Sequence, residues 1–590
     1  MFSAFSNSQQ PKKRGGCFWT IVVFVAIYLI FCFAVGKKMG NMFGGGQEVT
    51  LKANAIYKLD LAGDVVEQGQ DENPFADMFQ FNVTPFSRQV KTVGLDDILA
   101  NIRLAKENEN IRGIYLCGGE LIVGQSSAKE IHDALVDFKT SGKFIIAYAP
   151  DYGLMNYYIA SVADEIYLNP VGSISWHGLA AQKKYYTRAL QKLGISMQII
   201  KVGTFKSAVE PFMRTNMSPE DRKQTMQYVN GLWEEIVTSV SKTRQISVEQ
   251  LNEYADQFMD TEDPKKYVEY GFVDKLIYTQ DIDSIFNAVC GDDYKFFTTN
   301  QLKNVKRATS NAPKSVAVLY AEGTIYDEII LPQQADDIDG RNMVKIIDKI
   351  AKNDDIKAVV VRVNSPGGSA NASEQIWHAL EKVKASGKKV VVSMGDLAAS
   401  GGYYISCGAD YIFAQPNTLT GSIGIFGMIP NVRGLRDKLG VDVEFLGTHK
   451  NATMPGDMYF NGMNYQQTAL MQKMIDRGYA LFTLRCAEGR HLHQDTIKKV
   501  GEGRVWLGKD ALALKLVDEL GSIDDAIAKA CELAEITEYN IQYYPAKKNF
   551  MDEFLKSFDT SSEEEKMLAK LKALVSKERV MAIMDPITIE

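Results

Sequence analysis

The sequence predicts an α/β chain built from two tandem copies of one domain, preceded by a single membrane helix. Three observations predict the duplicated α/β part. First, "ALVDFKTSGKFIIAYA" (134–149) returns as "ALEKVKASGKKVVVSM" (379–394), 245 residues later. "YYIASVADEIYLNP" (157–170) returns as "YYISCGADYIFAQP" (403–416), and "YGFVDKL" (270–276) as "LKLVDEL" (514–520), at offsets of 246 and 244. Second, each copy alternates short β-branched runs with amphipathic stretches of ten or more residues, the pattern of parallel strands joined by helices. Third, 590 residues exceed what one core organises.

Taken in order, residues 1–16 form a polar N-terminus ending in "PKKRGG". Residues 17–35, "CFWTIVVFVAIYLIFCFAV", are apolar apart from one threonine. At ~1.5 Å per residue they nearly match a hydrocarbon layer of about 30 Å, so 17–36 reads as an uncleaved anchor. The run is long for a signal peptide, and "FCFAVGKK" is a poor cleavage site. The basic residues before it outnumber those after it, which orients the N-terminus to the cytoplasm and the bulk of the chain outside. Residues 37–50, with "GNMFGGGQE", form a linker.

The two copies span 51–300 and 310–545. In the second, "RNMVKIIDKIAKNDD" and "ASEQIWHALEKVKASGKK" fit helices closed by polar or glycine caps. Residues 546–590 form a helical extension, with helical periodicity over 562–584.

The acidic balance, net charge −7 with no basic block, argues against a nucleic-acid partner. Seven cysteines include no C-x-x-C pair and give no disulfide framework. Six histidines include no H-E-x-x-H, so neither a metal nor a cofactor is expected.

The copies differ where chemistry is expected. "GDLAASGGYYIS" (395–406) strips bulk from around Ser400, and the first copy has "DYGLMNYY" there, without a serine. A serine kept only for packing would leave a small residue in both copies. Ser400 falls at a strand-to-helix junction, where free N–H groups favour a developing oxyanion. "SPGGS" (365–369) adds glycines that allow close backbone approach. Two converging donors make an oxyanion hole. A serine needs a base. His378 and His449 have no evident carboxylate partner, which leaves a lysine. Lys206 in "KVGTFKSAVEPF" and Lys450 in "FLGTHKNATMPG" hold matching repeat positions. Lys206 sits among apolar and small residues, and burial disfavours an ammonium. Short S-x-x-K matches such as Ser126/Lys129 occur elsewhere and carry no weight.

"NSPGGSANASEQIW", "GDLAASGGYYIS", "TGSIGIFG" and "KVGTFKSAVEPF" together resemble the signal peptide peptidase A family, in its long two-repeat bacterial form. The resemblance covers nearly the whole chain. It implies the Clp-protease/crotonase fold of repeated ββα units. It also implies a membrane-anchored serine endopeptidase that degrades cleaved signal peptides and unfolded segments. By the resemblance the nucleophile is Ser400, the general base Lys206, and the residue orienting the lysine Ser422. Lys450 is the alternative base, supplied by the serine's own copy. The oxyanion glycines are Gly367, Gly368 and Gly401. The family further implies a homotetramer in a bacterial inner membrane, with the catalytic domains on the periplasmic side of a single-pass anchor in the lipid bilayer. Two other functions stay open on the sequence: a crotonase-like acyl-CoA enzyme and a non-catalytic membrane scaffold.

Overall fold

The structure, a computed structural model, describes residues 49–69, 92–305, 312–329, 337–547, 581–584 and 588–589. The predicted N-terminus 1–16, the anchor 17–36 and all of the linker up to residue 48 lie outside the described residues. No described helix is long and apolar enough to cross a membrane.

Two large sheets follow the two halves of the chain. The first runs in the order Thr92–Gly94, Ala55–Val66, Ile111–Ile122, Phe144–Ala149, Glu165–Leu168, Lys275–Leu276, with Lys295–Thr298 also beside Ala55–Val66. All its pairs are parallel. The second sheet is ordered Val505–Leu507, Leu419–Gly421, Lys389–Ala399, Ile356–Ser365, Ser315–Glu322, Asn540–Tyr544. Tyr411–Ala414 and Glu519–Leu520 extend it beside Lys389–Ala399. The registers repeat: Leu59, Leu116, Ala147 and Ile166 lie in one row of the first sheet, and Leu319, Val361 and Val392 in one row of the second.

Parallel strands covered on both faces need near-continuous apolar runs. "IKAVVVRVNS" (Ile356–Ser365) supplies one, with seven of its first eight residues buried. Each fully buried valine there is worth about 1.5–3 kcal/mol. The flanking helices start where the sequence offers caps. Asp339 accepts from Asn342 N–H ahead of Gly340–Lys352, and Ser369 accepts from Ala372 N–H ahead of Ala370–Ala385. Gly387, at φ +86°, turns the chain after the latter.

The two halves do not fold side by side as independent units. A third sheet has the order Ile338–Asp339, Ile325–Tyr326, Gly367–Ser369, Met581–Ile583, Phe426–Asn431, Ser196–Lys201. Ser196–Lys201 leaves the first half and pairs antiparallel with Phe426–Asn431 of the second. The predicted C-terminal helix is corrected at its end. Met581–Ile583 is a strand, because its backbone groups pair with those of Gly367–Ser369. Residues 548–580 lie outside the described residues.

A buried charge cluster locks the halves together. Arg362 interrupts the apolar run and is 1% exposed. Its guanidinium reaches Glu67 at 2.8 Å and Glu130 at 2.7 Å, both in the first half, and donates to Ser393 Oγ. Asp396, the acid of "GDLAAS", accepts from the N–H groups of Ser126 and Ser127 and from Ser127 Oγ. It thereby caps the first-half helix Gln125–Lys139, whose own N-cap, Gly124, has no side chain to do so. A Cβ on Gly124 would stand 2.0 Å from that carboxylate.

Burial pushes the carboxyls of Glu130 and Glu322 up to about 7, and neighbouring Glu67 adds to both shifts. Arg362 opposes the shift in each case. Glu67 itself is raised by burial. Each of these acids holds a proton in the folded chain at a pH where the unfolded chain has lost it. For Glu130 and Glu322 that stabilisation is complete below about 4.5 and is lost as pH rises through about 7. Thermal unfolding is expected at a higher temperature near pH 5.5 than at pH 8. Glu322→Gln, which keeps an acceptor for Glu67 N–H, is expected to flatten part of that slope; an unchanged slope would contradict the assignment.

Candidate active site

The strand Lys389–Ala399 ends at Ser400, and the helix Gly401–Ser406 starts there. Ser400 has φ 56° and ψ −112°, a strained backbone for a residue with a Cβ. The turn is held by Ser400 N–H donating to Gly421 O at 2.8 Å. It also needs the bare glycines that follow. A Cβ on Gly401 would lie 2.7 Å from Ser373 Oγ, and one on Gly402 would lie 2.6 Å from Ser365 O. The small-residue stretch therefore serves geometry, and what it holds at the turn is the buried Ser400 hydroxyl. In the first half the matching helix, Leu154–Ala160, begins after Gly153 at an ordinary φ of −65°. No hydroxyl stands there.

Lys206 arrives from the other half. The cross-paired strand Ser196–Lys201 delivers the loop after it beneath Ser400. Val202 N–H donates to Ile425 O, and Phe205 N–H to Glu502 O. Gln224 Nε2 braces the same loop through Phe205 O and Ser207 Oγ. Gly503, at φ +76°, lets the backbones meet, since a Cβ there would stand 2.6 Å from Lys206 Cβ. The lysine is 1% exposed and Ser400 is 0% exposed.

Lys206 Nζ lies 2.7 Å from Ser400 Oγ, 3.0 Å from Ser422 Oγ and 3.0 Å from Ser422 O. Ser422 follows the strand Leu419–Gly421 at φ 50°, and its N–H donates to Arg504 O. Lys450 is exposed, in a segment with no counterpart of the cross-paired strand to carry it inward. His449 is exposed beside Thr448, and His378 is exposed on its helix.

The glycines divide. Gly367 has φ +97°, and its N–H donates to Ser365 Oγ at 3.1 Å, which itself donates to Gly323 O. The sequence expectation made it an oxyanion donor; in the structure its N–H is engaged by the Ser365 hydroxyl. Its role is to turn the chain. The N–H of Gly401, in the first turn of its helix, has no intrahelical acceptor. A Cβ on Gly401 would stand 3.0 Å from Gly368 N, so the Gly368 and Gly401 amides border one small space.

Comparison with known proteins identifies the family of the chain. The peptidase family S49 model matches residues 137–285 and 382–537, one stretch in each half and together more than half the chain. The chain belongs to peptidase family S49. Residues 312–420 match the Clp protease model. Protease 4 of Salmonella typhi is 35% identical over 565 residues, 92% of this chain and 89% of that one. Protease 4 of Haemophilus influenzae is 33% identical, covering 90% and 88%. A chloroplastic serine protease SPPA of Arabidopsis thaliana is 29% identical, covering 76% and 67%. This S49 chain is a serine protease with a duplicated S49 region and a mixed α/β, Clp-protease-like fold. The acyl-CoA and scaffold alternatives are thereby set aside.

Proposed function

We propose that Ser400 is the nucleophile and Lys206 the general base of a Ser/Lys dyad assembled from both halves of one chain. The observation that carries this reading is the 2.7 Å separation of Lys206 Nζ from Ser400 Oγ. Burial penalises an ammonium. A neutral amine placed here donates its two N–H bonds to Ser422 Oγ and Ser422 O, and its lone pair accepts the Ser400 hydroxyl proton. Ser422 thus orients the base. As the hydroxyl attacks a peptide carbonyl, the charge on its oxygen develops between the Gly368 and Gly401 amides. Each such donor is worth about 2.7–4 kcal/mol of barrier. The resulting ammonium returns its proton to the leaving amine, and an ester to Ser400 remains. Water, activated by the same amine, then releases the acyl group.

The substrates proposed are cleaved signal peptides and unfolded apolar segments, met close to a bilayer. Residues 17–36 are the proposed single-pass anchor of a bacterial inner-membrane protein with its catalytic halves on the periplasmic side. The proposed domain limits remain 51–300 and 310–545, and the proposed assembly is a homotetramer. The length and apolarity of 17–35 support the anchor. The full chain reconstituted in phospholipid vesicles is expected to cleave a synthetic signal peptide, and Ser400→Ala is expected to leave it intact. Cleavage by Ser400→Ala, or recovery of the protein from the aqueous phase alone, would contradict the corresponding part of this reading.

A further inference from the structure

The catalytic turn has a counterpart in the first half, and a cavity of about 570 Å³ opens beside it. The offset of 245 sets Ile122, Val123 and Gly124 opposite Gly367, Gly368 and Ser369. The next helix then starts at Gln125 in one half and at Ala370 in the other. Beyond Cys117 the strand Ile111–Ile122 pairs, among the described residues, with Ala55–Val66 alone. The cavity lies between that end of the strand and residues 150–156, which follow the neighbouring strand Phe144–Ala149. This is the crevice outside the carboxyl ends of parallel strands, where α/β sheets take ligands. Leu179 lines it as well, and packs against the apolar cluster that holds Ala399, the residue before Ser400.

The walls are of two kinds. Leu121, Val123, Leu154 and Met155 are apolar. The polar lining offers acceptors. Asn156 is 3% exposed; its Nδ2 donates to Gly119 O, and its Oδ1 has no partner. Gln125 Oε1 is likewise buried without a partner. Buried polar atoms are seldom left unpaired, so two unpaired amide oxygens in one cavity mark a place for N–H donors. Glu120 and Asp151 add two exposed carboxylates, and no lysine, arginine or histidine lines the cavity. No serine, threonine or cysteine lines it either, so it can bind a peptide but not acylate on it.

We propose that this cavity is a non-catalytic subsite that holds the basic amino-terminal head of an apolar peptide while the segment behind the head enters the site at Ser400. The proposal rests on the peptide-substrate reading given above. A signal peptide carries positive charge ahead of its apolar run. Its ammonium and N–H groups match Asn156 Oδ1, Gln125 Oε1 and the two carboxylates, and its first apolar residues match the leucine and methionine walls. Once the head is held, entry of the rest becomes an intramolecular step, so modest affinity at each point suffices. The degenerate half thereby selects what the catalytic half cuts.

The test uses the full chain and two quenched fluorescent peptides with one apolar sequence, headed by two lysines or by two glutamines. Wild type should favour the lysine-headed peptide by about tenfold in kcat/KM, and added salt should shrink that preference. Glu120→Lys/Asp151→Asn should abolish the preference; the asparagine keeps an acceptor for Ser173 N–H. Gly153→Trp should abolish it too. Gly153 lines the cavity at an ordinary φ, and a Cβ there meets nothing within 4 Å, so the indole fills the space without straining the turn. A purely structural effect would slow both peptides alike and keep their ratio. No preference in wild type, or a preference that survives in both variants, would overturn the proposal. If neither peptide is cut by any form, the assignment of Ser400 fails, and a second arm decides the subsite. The fluorescent lysine-headed peptide should bind the Ser400→Ala chain by anisotropy, and about tenfold more weakly when Glu120→Lys/Asp151→Asn is added. Equal binding there would overturn the proposal whatever the catalytic result.

Discussion

Lys206→Ala is expected to lower peptide turnover by about 10³-fold or more while the chain stays folded. A positioned acid–base group is worth about 10²–10⁴ in rate, and in the proposed dyad the same amine serves both acylation and deacylation. Lys450→Ala should stay within about twofold of wild type, since that lysine is exposed. Ser422→Ala should fall between the two, because it turns the amine without supplying it. The double variant Ser400→Ala/Lys206→Ala should be no slower than the worse single one, as residues acting as one unit are not additive. Steady-state cleavage of a quenched fluorescent peptide, with circular dichroism as the fold control, reads all four.

The largest effect on stability is expected at Arg362. Arg362→Met leaves Glu67 and Glu130 buried without their shared cation. Breaking a buried ion cluster from one side costs about 3–5 kcal/mol. Urea unfolding at pH 8 should show that loss. The loss should shrink near pH 5, where the raised carboxyls take up protons. Arg362→Met/Glu67→Gln/Glu130→Gln should recover most of it, which separates uncompensated charge from lost packing. Failure of the triple variant to recover would mean that the shape of the arginine, not its charge, joins the halves.

Much of this was legible in the sequence, for identifiable reasons. The duplication shows as a constant offset because each copy must bury the same strands, and runs such as 356–365 carry that demand locally. Ser400 stood out because its small neighbours occur around a hydroxyl in one copy alone. Lys206 stood out by its apolar surroundings. The structure brings Ser400, Lys206 and Ser422 together and leaves Lys450 outside. What pairs across long stretches was not legible. Arg362 and Glu67 are 295 residues apart, and nothing local marks either as a partner. The pairing of Ser196–Lys201 with Phe426–Asn431 depends on the same kind of distant backbone match. Met581–Ile583 reads as helix in the sequence because its apolar residues continue the period of the segment before it. Its strand state comes from the slot it enters. The engagement of Gly367 N–H by Ser365 is a matter of turn geometry that a glycine pair alone does not reveal.

The most direct test of the dyad is the rate at which a fluorophosphonate acylates Ser400 in full-length wild type, Lys206→Ala and Lys450→Ala, with the adduct located by peptide mass. Labelling that persists in Lys450→Ala and disappears in Lys206→Ala is the result predicted for an amine donated by the first half to a hydroxyl in the second. Labelling that survives loss of Lys206, or is lost with Lys450 instead, would contradict it.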